Sequence, residues 1–134
     1  MPATLAPTQL RHLLSRFSYG VTAQLVTQAQ QAGGRLAWFE AQLRLATVPD
    51  ADADAMRGWF PYLQRTPDDL WDVHEAEERY GWDLMHDLAS WTTLRRMRSN
   101  RQLLETMVDF WSNLLHVPGW AENAWPHRTS PTTG

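Results

Sequence analysis

The sequence predicts an all-α fold, arranged as an irregular multi-helix array. Apolar residues recur three and four positions apart along several segments, as they do on one face of a helix. Glycine, proline and helix-capping residues separate these segments from one another. The composition is that of a globular protein, because 43% of the 134 residues are hydrophobic and 20% are charged.

Three helices are predicted in the first third of the chain. Thr8 is expected to cap the first helix and Thr22 the second, and Gly33–Gly34 supplies the backbone freedom to end the second. The third is predicted from about Arg35 to Ala46. The inward-facing residues are predicted to be Leu10, Leu13, Leu14 and Phe17, then Leu25, Val26 and Ala29, then Leu36, Phe39 and Leu43.

The acidic run DADADA invites comparison with a calcium-binding loop, because Asp50, Asp52 and Asp54 alternate along it. An EF-hand loop also requires glycine at its sixth position and glutamate at its twelfth. Those positions are occupied by Ala55 and Pro61. We therefore predict a solvated turn before a short helix that ends near Pro61, and no calcium site.

A second acidic segment begins with a strong helix start at Thr66. Threonine is the predicted cap, Pro67 lies in the first turn, and Asp69 follows three residues after the cap. The segment contains HEAEE at residues 74–78, which lacks the second histidine of the zinc-protease pattern H-E-x-x-H. An exposed acidic face is the better interpretation. Gly81 is predicted to break the helix, and the apolar face is predicted to continue through Leu84, Leu88 and Trp91.

The most informative helix is predicted after Ser99, where S-x-x-Q has the spacing of a capping box. From Leu103 to Leu115, apolar residues occupy most of its circumference and leave one narrow polar stripe. We therefore expect a central helix that contacts more than one neighbour, with Trp111 buried. The polar stripe on its other side consists of Glu105, Asp109, Ser112 and His116.

Composition and charge argue against several classes of function. A net charge of -3 provides no field that would attract nucleic acid or an anionic membrane. The absence of cysteine excludes disulfides and a cysteine nucleophile. No apolar run approaches the ~20 residues that span a bilayer, and no signal-peptide pattern is seen, so a cytoplasmic location is expected. The eight tryptophans are interpreted as packing residues.

Two sequence blocks are specific in combination. They are HLLSRFSYGVTAQLVTQAQQAGGRLAWFEAQL and RQLLETMVDFWSNLLHV, the second followed by WPHRTS. Together they resemble the N-terminal part of a large bacterial family catalogued as domain of unknown function eighteen hundred. With a loosely similar middle, the resemblance covers nearly the whole chain. Many members have N-H-F where this sequence has Asn113-Leu114-Leu115. The Leu-Leu version is similar to the one found in actinobacterial members.

The resemblance implies that residues 1–134 form one helical N-terminal portion of a longer domain, an incomplete part of a larger helical protein, with residues 129–134 as a disordered tail. Family members continue after W-P-x-R-x-S with Tyr-Asp and later helices. Here the similarity stops at Pro131, and the final Pro-Thr-Thr-Gly can be encoded by bases that give Tyr-Asp-Arg in another frame. We therefore expect a truncated or frameshifted gene product.

The family has no established activity, and two functions are compatible with the resemblance. In the first, the chain is a structural or binding part that packs on the C-terminal region of the family, or self-associates through Leu103–Leu115. In the second, it is part of a hydrolase-like, metal-assisted enzyme whose site that region completes. The chain alone is expected to be inactive, and the sequence identifies no cofactor and no metal site. The candidate catalytic residues are Glu105, Asp109, Asn113, His116, His127 and Arg128.

Overall fold

The computed structural model describes residues 7–115 and residue 126. These residues form α-helices and short 3-10 helices, so the all-α prediction is confirmed for the part of the chain described. The α-helices are α1 (Thr8–Phe17), α2 (Ala23–Gln31), α3 (Arg35–Leu43), α4 (Ala51–Met56), α5 (Pro67–Glu75), α6 (Gly81–Arg98) and α7 (Gln102–Leu115). The 3-10 helices are Leu45–Thr47, Arg57–Trp59 and Pro61–Gln64.

The chain divides into two compact units. Among the described residues, the first unit contains 7–50 and 99–111, and the second contains 51–98 and 112–115. The first unit therefore joins the first three helices to most of α7, although about fifty residues separate them in sequence. The expected single portion over residues 1–134 stays a prediction, and the predicted tail at 129–134 lies outside the described residues.

The core of the first unit is formed by α1, α2 and α3. The apolar stripe predicted for α1 is confirmed, because Leu10 and Leu14 are buried and Leu13 and Phe17 pack against them. The rings of Phe17 and Phe39 lie 4.9 Å apart between their centroids, a favourable distance for an aromatic pair. The buried residues that α2 and α3 add to this core are Leu25, Ala29 and Trp38.

The caps predicted for the first two helices agree with the structure for α2 but not for α1. Thr22 caps α2 as predicted, since its hydroxyl oxygen accepts the N–H of Leu25 at 3.1 Å. After α2, Gly33 and Gly34 have φ angles of 103° and 105°, which glycine adopts without steric cost. The cap predicted for α1 is wrong. Pro7 occupies the capping position and Thr8 is already the first helical residue.

The orientation of α3 differs from the prediction. Leu36 and Leu43 were expected inward, yet they are 62% and 63% exposed. The buried residues of α3 are Trp38 and Gln42, one turn apart. Trp38 removes a larger apolar surface from water than a leucine can, and both ends of the Gln42 amide have hydrogen-bond partners in the unit. Together these contacts determine which side of α3 faces the core.

The second unit contains α4, α5 and α6. Leu70 and Leu84 are completely buried, and Val73, Leu63 and Ala53 are almost so. The face predicted for α6 is confirmed at Leu84, whereas Leu88 and Trp91 are half-buried. The Trp91 ring lies 5.9 Å from that of Phe60, between centroids.

The start of α5 and the break before α6 both follow the predictions. The N–H of Asp69 donates to Thr66 Oγ1 at 3.2 Å, and the N–H of Thr66 donates to Asp69 Oδ2 at 3.3 Å. These reciprocal bonds are the predicted capping box. The helix ends at Glu75, Glu77 takes a left-handed conformation with φ 55°, and α6 begins at Gly81.

This capping box makes a testable contribution to the acidity of Asp69. Hydrogen bonds from the Thr66 side chain, and next from its backbone N–H, lower the pKa of Asp69 from its ordinary value of 3.8, with a smaller contribution from Arg65. Because the folded-state pKa is the lower one, the contribution to stability is present above about pH 4 and is lost as the pH falls through the lowered pKa. We expect Thr66→Val to raise the pKa of Asp69 toward 3.8, measured by NMR titration of its carboxyl carbon.

The matched control is Thr93→Val. Thr93 is also exposed, and its hydroxyl donates to the carbonyl oxygen of Ala89 at 2.8 Å within α6. This change should leave the Asp69 titration where it was. A titration of Asp69 that does not respond to Thr66→Val would contradict the assigned cause.

Candidate functional site

The candidate site is built around the start of α7, where a carboxylate from a distant segment is buried. Asp50 is 3% exposed. Its Oδ2 accepts the hydroxyl of Ser99 at 2.6 Å, and its Oδ1 accepts the N–H of Asn100 at 2.6 Å. The prediction of a solvated turn is therefore wrong, because Asp50 is buried and Asp52 and Asp54, although exposed, lie in α4. A carboxylate tolerates burial when hydrogen bonds replace its lost water, and both oxygens have such partners.

Asn100 connects this junction to two of the preceding helices. Its side-chain oxygen accepts Nε2 of Gln28 at 3.0 Å, and its side-chain nitrogen donates to the carbonyl of Pro49 at 3.0 Å. Its carbonyl accepts Nε2 of Gln42 at 2.9 Å, while Oε1 of Gln42 accepts the N–H of Leu103 at 3.2 Å. Gln42 thus binds the chain on both sides of the first residue of α7.

The remaining contacts attach α7 to the turn after α1 and to the segment before Asp50. The N–H of Tyr19 donates to Oε1 of Gln102 at 3.0 Å, and Nε2 of Gln102 donates to the carbonyl of Ser99 at 2.7 Å. Nε of Arg101 donates to the carbonyl of Val48 at 3.0 Å. These hydrogen bonds are mostly between residues far apart in sequence, so they are tertiary rather than local contacts.

The capping box predicted for α7 is wrong in its position. It required Gln102 to be the third residue of the helix, but α7 begins at Gln102. The hydroxyl of Ser99 accepts the N–H of Arg101 at 3.0 Å and donates to Asp50. Asp50 therefore binds the turn that precedes α7 and not the first turn of the helix itself.

The rotation of α7 also differs from the prediction. Its buried residues are Gln102, Leu103 and Glu105, and Asp109 is half-buried. The predicted polar stripe therefore faces the interior over its first two turns, whereas Trp111, expected to be buried, is 50% exposed. The other largely exposed apolar residues are Met107, Val108, Phe110, Leu114 and Leu115. We attribute this inversion to the polar contacts at the start of α7, which leave only one side of the helix facing the core.

Of the candidate catalytic residues, the structure brings two to the inward side of α7. Glu105 is 4% exposed and Asp109 is half-buried one turn later. Asn113 is exposed. His116, His127 and Arg128 lie outside the described residues. Within the described part of the chain, no group of three or more His, Cys, Asp or Glu residues could hold a metal ion.

The HEAEE segment was compared above with a zinc-binding pattern, and its histidine lies beside two aromatic rings. The ring of His74 lies 5.8 Å from that of Trp71 and 6.0 Å from that of Tyr80, between centroids. Glu75, Glu77 and Glu78 are exposed. This arrangement agrees with an exposed acidic face beside a packed histidine.

Sequence reasoning missed the residues that form the junction at α7. Gln42 was overlooked because it interrupts the leucines of α3, and Asp50 because its acidic neighbours are solvated. One signal could have identified Gln42, since it lies one turn after Trp38 on the same helix face. No comparable local pattern distinguishes Asp50 from Asp52.

The junction leads to a prediction about stability. In Asp50→Ala, the hydroxyl of Ser99 and the N–H of Asn100 lose their shared acceptor, and an unsatisfied buried donor costs about 1–3 kcal/mol. We expect the free energy of unfolding to fall by about 2–4 kcal/mol, measured by urea denaturation. Asp52→Ala, in the same acidic run, should cost at most about 1 kcal/mol, the effect of a carboxylate near a helix start. Equal losses in the two variants would refute the role of Asp50.

Comparisons with known proteins place the chain in a family. Neither a search of curated proteins nor a search of solved structures found a match. No helix in residues 7–115 is both long enough and apolar enough to cross a membrane. A family model described as "Protein of unknown function (DUF1800)" matches residues 12–130. Because this match covers most of the 134 residues, the chain belongs to the DUF1800 family of proteins of unknown function.

Proposed function

We propose that this chain is a structural and binding part of a larger helical assembly, with the exposed side of α7 as its docking surface. The observation that carries the proposal is the inverted orientation of α7. Its polar residues face the first unit, while Met107, Trp111 and Leu114 on its other side are 39%, 50% and 62% exposed. A surface helix of a globular protein normally turns its apolar side toward the core.

The size of this surface supports a protein partner. An aromatic side chain can bury 150–250 Å2, so Phe110 and Trp111, each about half exposed, offer roughly 100 Å2 apiece. Four further apolar side chains of α7 bring the surface into the ~300–600 Å2 range of the largest patches on monomeric proteins. Patches of that size on soluble proteins are often interaction sites.

We assign this surface to the later helices of the family domain, which the resemblance places after the W-P-x-R-x-S segment. The surface is smaller than the ~800 Å2 per partner of a stable interface between separate proteins. A partner on the same polypeptide needs less area, because the connection gives it a high effective concentration. The area of the surface therefore favours a covalently connected partner.

The docking surface can be tested with an environment-sensitive dye. We expect the purified 134-residue chain to bind anilinonaphthalene sulfonate, whose fluorescence rises on exposed apolar surface. Trp111→Gln should reduce the fluorescence enhancement about twofold or more, because it removes the largest side chain of the surface. Trp59→Gln is the control, since Trp59 is 66% exposed but lies in a 3-10 helix of the second unit. A folded chain without dye binding would contradict the proposal.

A second candidate function is the hydrolase-like, metal-assisted enzyme whose site is completed by the later helices. It is supported by the burial of Glu105 with Asp109 one turn later, because carboxylates held inward are suited to acid–base or metal chemistry. The main proposal requires no metal. This alternative requires a metal ion, which residues of the later helices of the family help to bind.

Metal analysis of the longer protein that includes those later helices separates the two candidates. Under the main proposal, we expect no stoichiometric metal by inductively coupled plasma mass spectrometry. Stoichiometric metal that is lost in Asp109→Asn but kept in Asp54→Asn would favour the enzyme. Asp54 is a suitable control because it is an exposed carboxylate of α4.

A further inference from the structure

The exposed side of α7 has the spacing of a helix-packing seam. Leu104, Met107, Trp111 and Leu114 follow one another at intervals of three, four and three residues. At 100° per residue these four positions fall within an arc of about 80°, and the 3-4 alternation is that of the a and d positions in paired helices. Leu104 is half-buried, and the other three are exposed. The four residues are called the α7 seam below.

The order of the intervals also matters, because the spacing of three, four and three residues is the same when the helix is followed from either end. Two antiparallel copies of α7 related by a twofold axis would place Leu104 opposite Leu114 and Met107 opposite Trp111. The flexible thioether of methionine adapts well to a large ring. Parallel copies would instead place Trp111 against Trp111 in one crowded layer. The side chains therefore favour the antiparallel arrangement, which forms a closed twofold dimer.

Charge does not oppose such a pair. The only charged residues of α7 are Glu105 and Asp109. Glu105 is buried and Asp109 is half-buried, so neither lies on the seam. Two copies would therefore bring no like charges into direct opposition. An interfacial membrane helix typically carries lysine or arginine along its polar side, and α7 has neither.

We infer that, in a chain of these 134 residues, the α7 seam pairs with the α7 seam of a second copy in an antiparallel helix pair. The inference rests on the proposed docking function, with the second copy occupying the surface when the later helices are not on the polypeptide. If the pair covers the whole exposed apolar side of α7 and not the seam alone, two copies would bury at most about 600–1,200 Å2 in total, at the low end for specific interfaces. The dimer is therefore reversible and depends on protein concentration.

Sedimentation velocity of the unchanged chain is the first test. We expect a monomer–dimer equilibrium that shifts toward dimer as the concentration rises. Trp111→Gln should weaken dimerisation at least tenfold, and Trp59→Gln should leave it unchanged. Circular dichroism of both variants would verify that the helices are retained.

Cysteine cross-linking then tests the orientation, since the natural sequence contains no cysteine. In an antiparallel pair, a mixture of Leu104→Cys and Leu114→Cys chains should form a mixed disulfide under mild oxidation. Either variant alone should not, because identical positions would lie about 15 Å apart along the helix axis. A disulfide requires Cα atoms within about 7 Å.

The outcomes separate this inference from the proposed function. Disulfides within each single variant, with no 104–114 disulfide in the mixture, would overturn the antiparallel pair in favour of a parallel one. A monomer at all concentrations that still binds dye through Trp111 would overturn self-pairing and leave the docking surface in place. A monomer that binds no dye would overturn both.

Discussion

Asp50 brings its carboxylate into the interior of the first unit, where the Ser99 hydroxyl and the Asn100 N–H bind its two oxygens at 2.6 Å. The position of α7 depends on this contact. It joins a residue that precedes α4 to residues that precede α7, so it returns the chain to the first three helices after an excursion of 48 residues through the second unit. Both oxygens of the buried carboxylate have partners, which makes its burial tolerable.

The hydrogen bonds around that carboxylate also explain why α7 is rotated against its own amphipathic pattern. Gln42 binds the N–H of Leu103, and Tyr19 binds the side chain of Gln102, so the first turn is fixed by polar contacts. Once that turn is fixed, helix geometry determines the direction of every later side chain. Glu105 then faces inward and Trp111 outward. The exposed apolar side of α7 is therefore a consequence of these polar contacts, and under the proposed function a protein partner would remove it from water.

The success of sequence reasoning varied with the range of the interaction involved. Thr22 and the Thr66–Asp69 pair were identified as caps because the groups that bind each other lie within three residues. The stripe of α1 was identified because it buries the side that its periodicity defines. The reasoning failed for α3, where Trp38 and Gln42 outweigh two leucines. It failed again at Asp50, whose partners are about fifty residues away.

The sequence by itself determined the all-α class, the boundaries of α2 and the starts of α5 and α6, and family membership, because these depend on local spacing and on blocks of adjacent residues. It also identified α7 as unusual from its apolar circumference. Only the tertiary structure decided which side of α7 is exposed and which carboxylates are buried. The physical reason is that the pattern of a nearly all-apolar helix allows several rotations. The choice among them depends on hydrogen bonds with distant residues, chiefly Asp50, Gln42 and Tyr19.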